Sequence, residues 1–497
     1  MALKHLLEKA HRFQKPYVLC HPTFIQPSRF CSTSESSPQI TYQVQEIFPY
    51  KQHNRVKTPN PKFLQYITTL PNGLRVATES NLSTKTATIG AWIDAGSRHD
   101  TDDTSGVAHY VEHMKFEGTY DMRKEFMDAK IELMGGYFDA IITREHTAYR
   151  FKIRDENVPM AIDILADTLQ RTSYGGDEIN CQRDTILREM EAVERCPETR
   201  ILCQLHATAF QGSPLGRTVL GDADFIKTTD GQPIYEYIST HYTAPRMVIV
   251  AAGAVKHEDV VEEVKKHFTR LPTNPTTASQ LAAKELAIFT GSEVRIIDND
   301  LPLAHFAVAF AGASLTDPDS IALMVMKSML GSWNKSEEGG KLMGSELSKR
   351  VAIKEIAESM MTFNDSYKDA GLFGIYACAK PDCLDDLADA IMYEISKLSN
   401  RVSEDDVNHG RNQLKSSLLL QLDGTTPVAR DIGAQLLAYG RRIPYVEMFA
   451  RIDAVDASTI KRVAKRFLFN KDIAIAATGP IQGLPDYNWF RSRTHSP

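Results

Sequence analysis

The sequence predicts an α+β fold built from two similar halves. Three observations carry that prediction: a length of 497 residues, an alternation of short strands with amphipathic helices, and the return of one ordered run of elements after a proline- and threonine-rich break. A chain of this length exceeds what one hydrophobic core supports, so two or more domains are expected. The break at Leu271-Pro272-Thr273-Asn274-Pro275-Thr276-Thr277 divides them into 63–271 and 278–497. Hydrophobic residues at 42% and charged residues at 24% are globular values, which exclude a disordered chain.

The first 34 residues stand apart. They carry Lys4, Lys9, Arg12, Lys15 and Arg29 against a single acid, Glu8, with Leu3, Leu6 and Leu7 at helical spacing. That basic, acid-poor, amphipathic pattern predicts an organelle transit peptide, with Arg29-Phe30-Cys31-Ser32 as its cleavage neighbourhood. Residues 35–62 are polar and carry Pro38, Pro49, Pro59 and Pro61, the composition of a linker or extended arm.

Folded structure is expected from there on. Tyr66–Leu70 and Leu74–Thr78 flank Pro71-Asn72-Gly73, a hairpin signal, because Asn-Gly accepts the positive φ of tight turns. Thr86–Ile93 reads as a strand. The acidic loop Asp100–Gly106 leads into a helix starting near Val107. Asp155–Arg171 and Gly176–Cys196 repeat apolar residues every three or four positions and should be helices. His241–Gly253 ends in a continuous apolar run that suits a buried strand. After the break the order returns: Ser292–Asp298 and Ala304–Ala313 as strands, then Asp317–Leu330 as a helix.

Charge and cysteine content narrow the function. A net charge of −6 gives no electrostatic footprint for nucleic acid. Seven cysteines, an odd number without a CxxC pair, indicate reduced thiols. No apolar run of about 18 residues is present, so no spanning helix is expected.

The chemistry concentrates in His109-Tyr110-Val111-Glu112-His113. Residues four apart on a helix share a face, so both imidazoles can reach one ion, with Glu112 beside the second. A catalytic zinc takes three protein ligands and keeps a position open, and two histidines with a carboxylate are a common set. Glu112 is the natural proton acceptor. Two histidines on a surface helix would show the same pattern, and HxxEH alone leaves the third ligand open among Glu189, Glu191 and Glu194.

HxxEH inverts the commoner HExxH. Together with TLPNGLRVATESN, AWIDAGSR, HYVEHMKFEGT, RDTILREM, LHATAFQGSPLGRTVLG, HGRNQLKSSLLLQLDGT and GPIQGLPDYNWFR, the chain resembles the pitrilysin-type metallopeptidases over about residues 60–495. Within them it is most similar to the β-type mitochondrial processing peptidases. The resemblance implies two α/β-roll domains, one Zn2+ per chain held by His109, His113 and Glu189 with Glu112 as catalytic residue, and a metal-free second half. It implies a heterodimer with an α-type subunit that supplies a glycine-rich loop, since Glu338-Gly339-Gly340-Lys341 is only a weak glycine pair. Presequences of imported precursors would be the substrates, in the mitochondrial matrix or on the matrix side of the inner membrane. In some lineages such subunits also serve as core proteins of ubiquinol-cytochrome c reductase.

Four positions depart from the family. An accessory glutamate two turns before the third ligand is Gln182, which keeps the hydrogen bonding and loses the charge. The strand that pairs with extended substrate reads Gly135–Glu145, placing Asp139 where an amide is usual, beside Ala140. Acidic residues that grip the substrate arginine correspond to Thr199 and Cys203, leaving Glu191, Glu194 and Glu198 as substitutes. Neither replacement can make the bidentate carboxylate–guanidinium pair, so altered presequence selectivity is expected.

Overall fold

The computed structural model describes residues 64–171, 174–273, 286–336 and 344–495. The expected leader and arm, positions 274–277 of the break and Glu338–Lys341 lie outside the described residues.

The first sheet contains β1 (Leu64–Thr69), β2 (Arg75–Ser80), β3 (Thr86–Ile93), β4 (Tyr137–Ile142), β5 (Thr147–Arg154) and β6 (Met247–Gly253), in the spatial order β1-β2-β6-β3-β5-β4. Helices α1 (Val107–Met114) and α2 (Lys124–Leu133) fall between β3 and β4. Between β5 and β6 run α3 (Val158–Gln170), α4 (Gly176–Glu194), α5 (Pro197–Ala209), α6 (Ala223–Thr228) and α7 (Gln232–His241), and α8 (His257–His267) follows β6. The hairpin turn lies where Asn-Gly placed it: Thr69 pairs with Arg75, and Gly73 takes φ +88°. All seven residues of β6 are buried, as the apolar run requires.

The second sheet contains β7 (Ser292–Ile297), β8 (Ala304–Ala311), β9 (Ser332–Asn334), β10 (Ser359–Ser366), β11 (Gly371–Ala379) and β12 (Ala474–Gly479), in the order β7-β12-β8-β11-β10-β9. Helices α9 (Ser320–Leu330) and α10 (Glu346–Lys354) follow β8. Then come α11 (Leu384–Lys397), α12 (Glu404–Leu420), α13 (Thr425–Tyr439), α14 (Tyr445–Asp453) and α15 (Ala457–Phe467) between β11 and β12, with α16 (Tyr487–Arg493) last.

Removing one edge strand from each sheet leaves β2-β6-β3-β5-β4 and β7-β12-β8-β11-β10. In both, the first pair is parallel and every other pair antiparallel. The duplication suggested by sequence order is therefore matched strand for strand. Among the described residues no helix is long and apolar enough to cross a membrane, and Cys181, Cys196, Cys203, Cys378 and Cys383 are in no disulfide.

The halves are interlocked. Helix α5, though it follows the first sheet's strands, packs Ile201, Leu202, Leu205 and Ala209 on the second sheet, against Ala307, Ala309, Ala474 and Ala476. Helix α13 reciprocates, laying Ala429, Ile432 and Leu436 on Ala77, Trp92, Val248 and Val250 of the first sheet. A Cβ at Gly433 would fall 2.3 Å from Trp92 Cδ2, so the approach of α13 to the sheet depends on that glycine. Fully burying Ile201, Leu202 and Leu205 contributes about 1.5–3 kcal/mol each, an upper estimate given a compact unfolded chain.

Polar contacts reinforce this exchange where the β4–β5 turn meets the β10–β11 turn. Buried Arg98 reaches Asp369 Oδ1 and Oδ2 at 2.6 Å each and Glu145 Oε1 at 2.9 Å. Glu145 also accepts from the Lys368 backbone N–H at 3.1 Å, and the Lys368 ammonium pairs with Asp94.

Candidate metal centre

Helix α1 is short, and its start is fixed from outside the helix. Gly106 precedes it at φ +103° with no side chain to cap it. Instead the buried Asp100 carboxylate accepts from the backbone N–H groups of Gly106 at 2.8 Å and Ala108 at 3.3 Å, satisfying donors that a helix start leaves open. Burial pushes the Asp100 carboxyl up to about 8, against the pull of those two N–H groups and of Arg217 and His109. The opposite face of α1 is apolar: Val107, Tyr110, Val111 and Met114 belong to the core over the first sheet.

The polar face of α1 turns toward α4. His109 Nε2 lies 3.3 Å and His113 Nε2 3.1 Å from Glu189 Oε2. The two imidazoles stand edge to face, 4.7 Å between centroids. Donor atoms of His109, His113 and Glu189 lie within 4.8 Å of one another, the single such group of three among the described residues. Both ring nitrogens of His109 are buried without a hydrogen-bond partner, an arrangement that costs free energy unless something else occupies those lone pairs. Two imidazoles and one carboxylate converging on a common point, one imidazole otherwise unsatisfied, fit a tetrahedral divalent ion with one position left over.

Electrostatics agree with the geometry. Burial alone would disfavour the His109 cation, yet the carboxylates of Glu112 and Glu189 overturn that and raise it to about 9. Burial likewise raises Glu189, but the imidazoles of His109 and His113 beside it draw its carboxyl well below the usual range. The cluster thus holds positive charge against a carboxylate, the charge an ion would replace with release of protons.

Glu112 is buried, with Oε2 3.4 Å from His109 Nδ1. Behind it the Tyr149 and Tyr242 hydroxyls lie 3.0 Å apart. Burial above all, and the Glu112 carboxylate in addition, pushes both phenols up, so they stay neutral. Lys115, fully buried, sits 5.4 Å from the Tyr242 ring centre and 6.0 Å from that of Tyr174, and burial brings its ammonium down to about 7.

Gln182, two turns before Glu189, accepts from His113 Nδ1 at 3.0 Å and donates to Glu117 Oε1 at 2.6 Å. An amide oxygen can only accept, so His113 carries a proton on Nδ1, and Nε2 is the ring nitrogen that faces Glu189 and the shared centre. Glu117, which also pairs with Lys124, was not singled out by the sequence. A lone glutamate four residues past a motif has no distinguishing spacing.

The remaining sequence candidates are dispersed. Strand β4 is one edge of the first sheet, pairing among the described residues with β5 alone. Ala140 faces the core shared with α1. Asp139 is paired with Arg150, directly opposite on β5, through two bonds of 2.9 and 2.6 Å, so its charge is already engaged. Glu191 points to solvent with Arg195 at 3.3 Å, and Glu194 lies 3.6 Å from Arg200. Glu198 opens α5, where burial raises its carboxyl. Thr199 donates to the Cys196 sulfur at 3.4 Å, and Cys203 is half-buried on the same helix. None of these joins the three-residue cluster. A separate cavity of roughly 1440 Å³ between the halves abuts the end of β4 and the β4–β5 turn and is not lined by the three donors.

Comparison with known proteins agrees with this geometry. Residues 75–223 match the insulinase model (peptidase family M16), and residues 231–414 match the M16 inactive-domain model. An Arabidopsis thaliana protein described as a probable mitochondrial-processing peptidase subunit beta is 56% identical, covering 100% of this chain and 99% of its own. The Bos taurus mitochondrial-processing peptidase subunit beta is 42% identical over 85% of this chain and 86% of its own. Among solved structures, a chain of complex III2 from Candida albicans superposes with a TM-score of 0.77 at 25% identity, covering 86% of this chain and 99% of that one. With the M16 peptidase model on the half that holds the His109, His113 and Glu189 cluster, the inactive-domain model on the other and relatives aligned over most of their length, the chain belongs to the M16 family and is a metallopeptidase.

Proposed function

We propose that the chain is the zinc-dependent catalytic subunit of a β-type processing peptidase, removing basic N-terminal presequences from precursors imported into mitochondria. The convergence of His109, His113 and Glu189, with Glu112 against His109, is the observation that carries this reading. It is supported by full-length likeness to proteins named as mitochondrial-processing β subunits. The same likeness supports pairing with an α-type subunit and work in the matrix or on the matrix side of the inner membrane, with residues 1–34 as the import signal.

His109, His113 and Glu189 would hold one zinc ion. When bound, such an ion supplies Lewis acidity, making a water more acidic and polarising a carbonyl oxygen. The chain's own residues do the rest. Glu112 accepts the proton of the attacking water and returns it to the departing amine nitrogen. Gln182 fixes the ring and tautomer of His113. The open edge of β4 aligns an extended substrate through main-chain hydrogen bonds, which Asp139, occupied by Arg150, does not disturb.

The test is cleavage of a synthetic basic presequence peptide by the chain paired with an α-type subunit, with metal analysis alongside. One zinc per chain is expected, and Glu112→Gln should keep the zinc and lose cleavage. Absence of stoichiometric metal, or unchanged cleavage by Glu112→Gln, would reject the proposal. A second reading, service also as a core subunit of ubiquinol-cytochrome c reductase, is favoured by the likeness to the complex III chain. Co-purification of peptidase activity with the respiratory complex tests it, and activity confined to the soluble fraction rejects it.

A further inference from the structure

Helix α2, between the metal helix and the free edge strand, has an outer face that nothing in the described fold covers. Phe126 is 67% and Leu133 88% exposed, and Ala129 between them is exposed as well. Positions 126, 129 and 133 share one side of a helix, giving an apolar stripe along its length of about 15 Å. Glu125, Asp128 and Glu132, all exposed, form a second stripe beside the first. Lys130 borders the opposite side. An apolar stripe on a helix otherwise buries itself in its own core, and here Met127 alone on α2 is fully buried in that way.

The acidic stripe leads to the metal centre. Glu117 lies close enough to add, with Glu125, to the rise that burial imposes on the Asp128 carboxyl. Glu117 also accepts from Gln182 at 2.6 Å, and Gln182 holds His113. At its other end α2 runs through Gly135 and Gly136 into β4, whose first residue, Tyr137, is 57% exposed. One continuous surface therefore joins an exposed apolar stripe, a row of carboxylates and the strand edge on which an extended peptide would lie.

We propose that the outer face of α2 is a docking site for the amphipathic, basic part of the presequence, away from the scissile bond. It rests on the processing reading above. Such a segment pairs leucines at helical spacing with lysine and arginine, the pattern of residues 3–12 of this chain, and presents both features that the stripes complement. Apolar contact supplies the affinity, while the carboxylates steer the cationic peptide and set its register.

Length dependence tests it. The heterodimer is assayed with a presequence peptide of about 25 residues and with a short peptide spanning only the scissile region. In Phe126→Ser/Leu133→Ser, KM for the long peptide should rise about tenfold with kcat unchanged, and the short peptide should be cleaved as before. Glu125→Gln/Asp128→Asn/Glu132→Gln should weaken the salt dependence of KM for the long peptide alone. All five side chains are exposed, so folding should be unaffected, which the melting temperature confirms. Equal effects on both peptides, or none, overturn the proposal. Loss of the heterodimer overturns it too, by assigning the face to the partner subunit. A wild type that cleaves neither peptide refutes the processing reading instead.

Discussion

The two halves share five strands in the same order and directions, yet among the described residues only one brings two histidines and a carboxylate together. In the first, α1 presents His109, Glu112 and His113 to α4, and the space between the helices is held by polar side chains. In the second, the corresponding helix α9 has the sequence SIALMVMKSML, with no histidine, cysteine or carboxylate. Its partner α12 comes close enough that a Cβ at Gly410 would lie 2.6 Å from Met329 Cγ. One half keeps a polar gap and the other closes it with packed apolar atoms. A buried cluster of titratable groups weakens the half that contains it, and the duplicate without that cluster is free to spend the same interface on cohesion.

Four experiments probe this contrast, from the largest expected effect down. Glu112→Gln should lower kcat by about 10²–10⁴ while metal content holds. Met326→Leu, in the counterpart helix, should change melting temperature slightly and leave kcat alone. Next, Arg98→Met leaves the buried Glu145 and the half-buried Asp369 without their cation. It should cost about 3–5 kcal/mol of unfolding free energy in a denaturant titration, and a single transition for both halves is expected. Two separate transitions would show that the halves are held together less tightly than their contacts suggest. Third, Gln182→Leu should weaken metal affinity by about 10–100-fold, measured by competition with a chelator, because His113 loses the partner that sets its tautomer.

The smallest effect is on pH dependence and again belongs to the first half. Burial lowers His146 to about 4, and burial with Arg246 nearby lowers His241 to about 3. In the unfolded chain both would titrate near 6.5. The unfolded state therefore binds more protons between those values. Stability is complete above about pH 6.5 and falls as the pH drops toward 4, by up to about 1.4 kcal/mol per pH unit for each proton. His241→Gln should make the acid limb shallower, and an unchanged limb would show that this ring is not what acid attacks.

Much of the first sheet was legible in the sequence. Thr86–Ile93 and the start of α1 at Val107 appear with the expected bounds, because alternation and the acidic loop are local signals. The HxxEH pair was legible for the same reason: one helical turn fixes its geometry. Selection of Glu189 over Glu191 and Glu194 came from family likeness, since every glutamate on an exposed helix looks alike until the facing helix is placed. The pairing of Asp139 with Arg150 depends on strand register, and the Asp100 cap on a loop folding back six residues. The destination of α5 was also hidden. Its apolar periodicity marks an amphipathic helix, but periodicity does not say which sheet the helix will cover.

The reciprocal placement of α5 and α13 bears on the protein's history. Each sheet takes part of its roof from the other repeat, so a gene deletion that removed the second copy would bare Trp92, Val248 and Val250 on the copy that remained. The second repeat, which matches the inactive-domain model, is therefore kept by the shelter it gives, and mutation can change it only as far as that shelter stays intact.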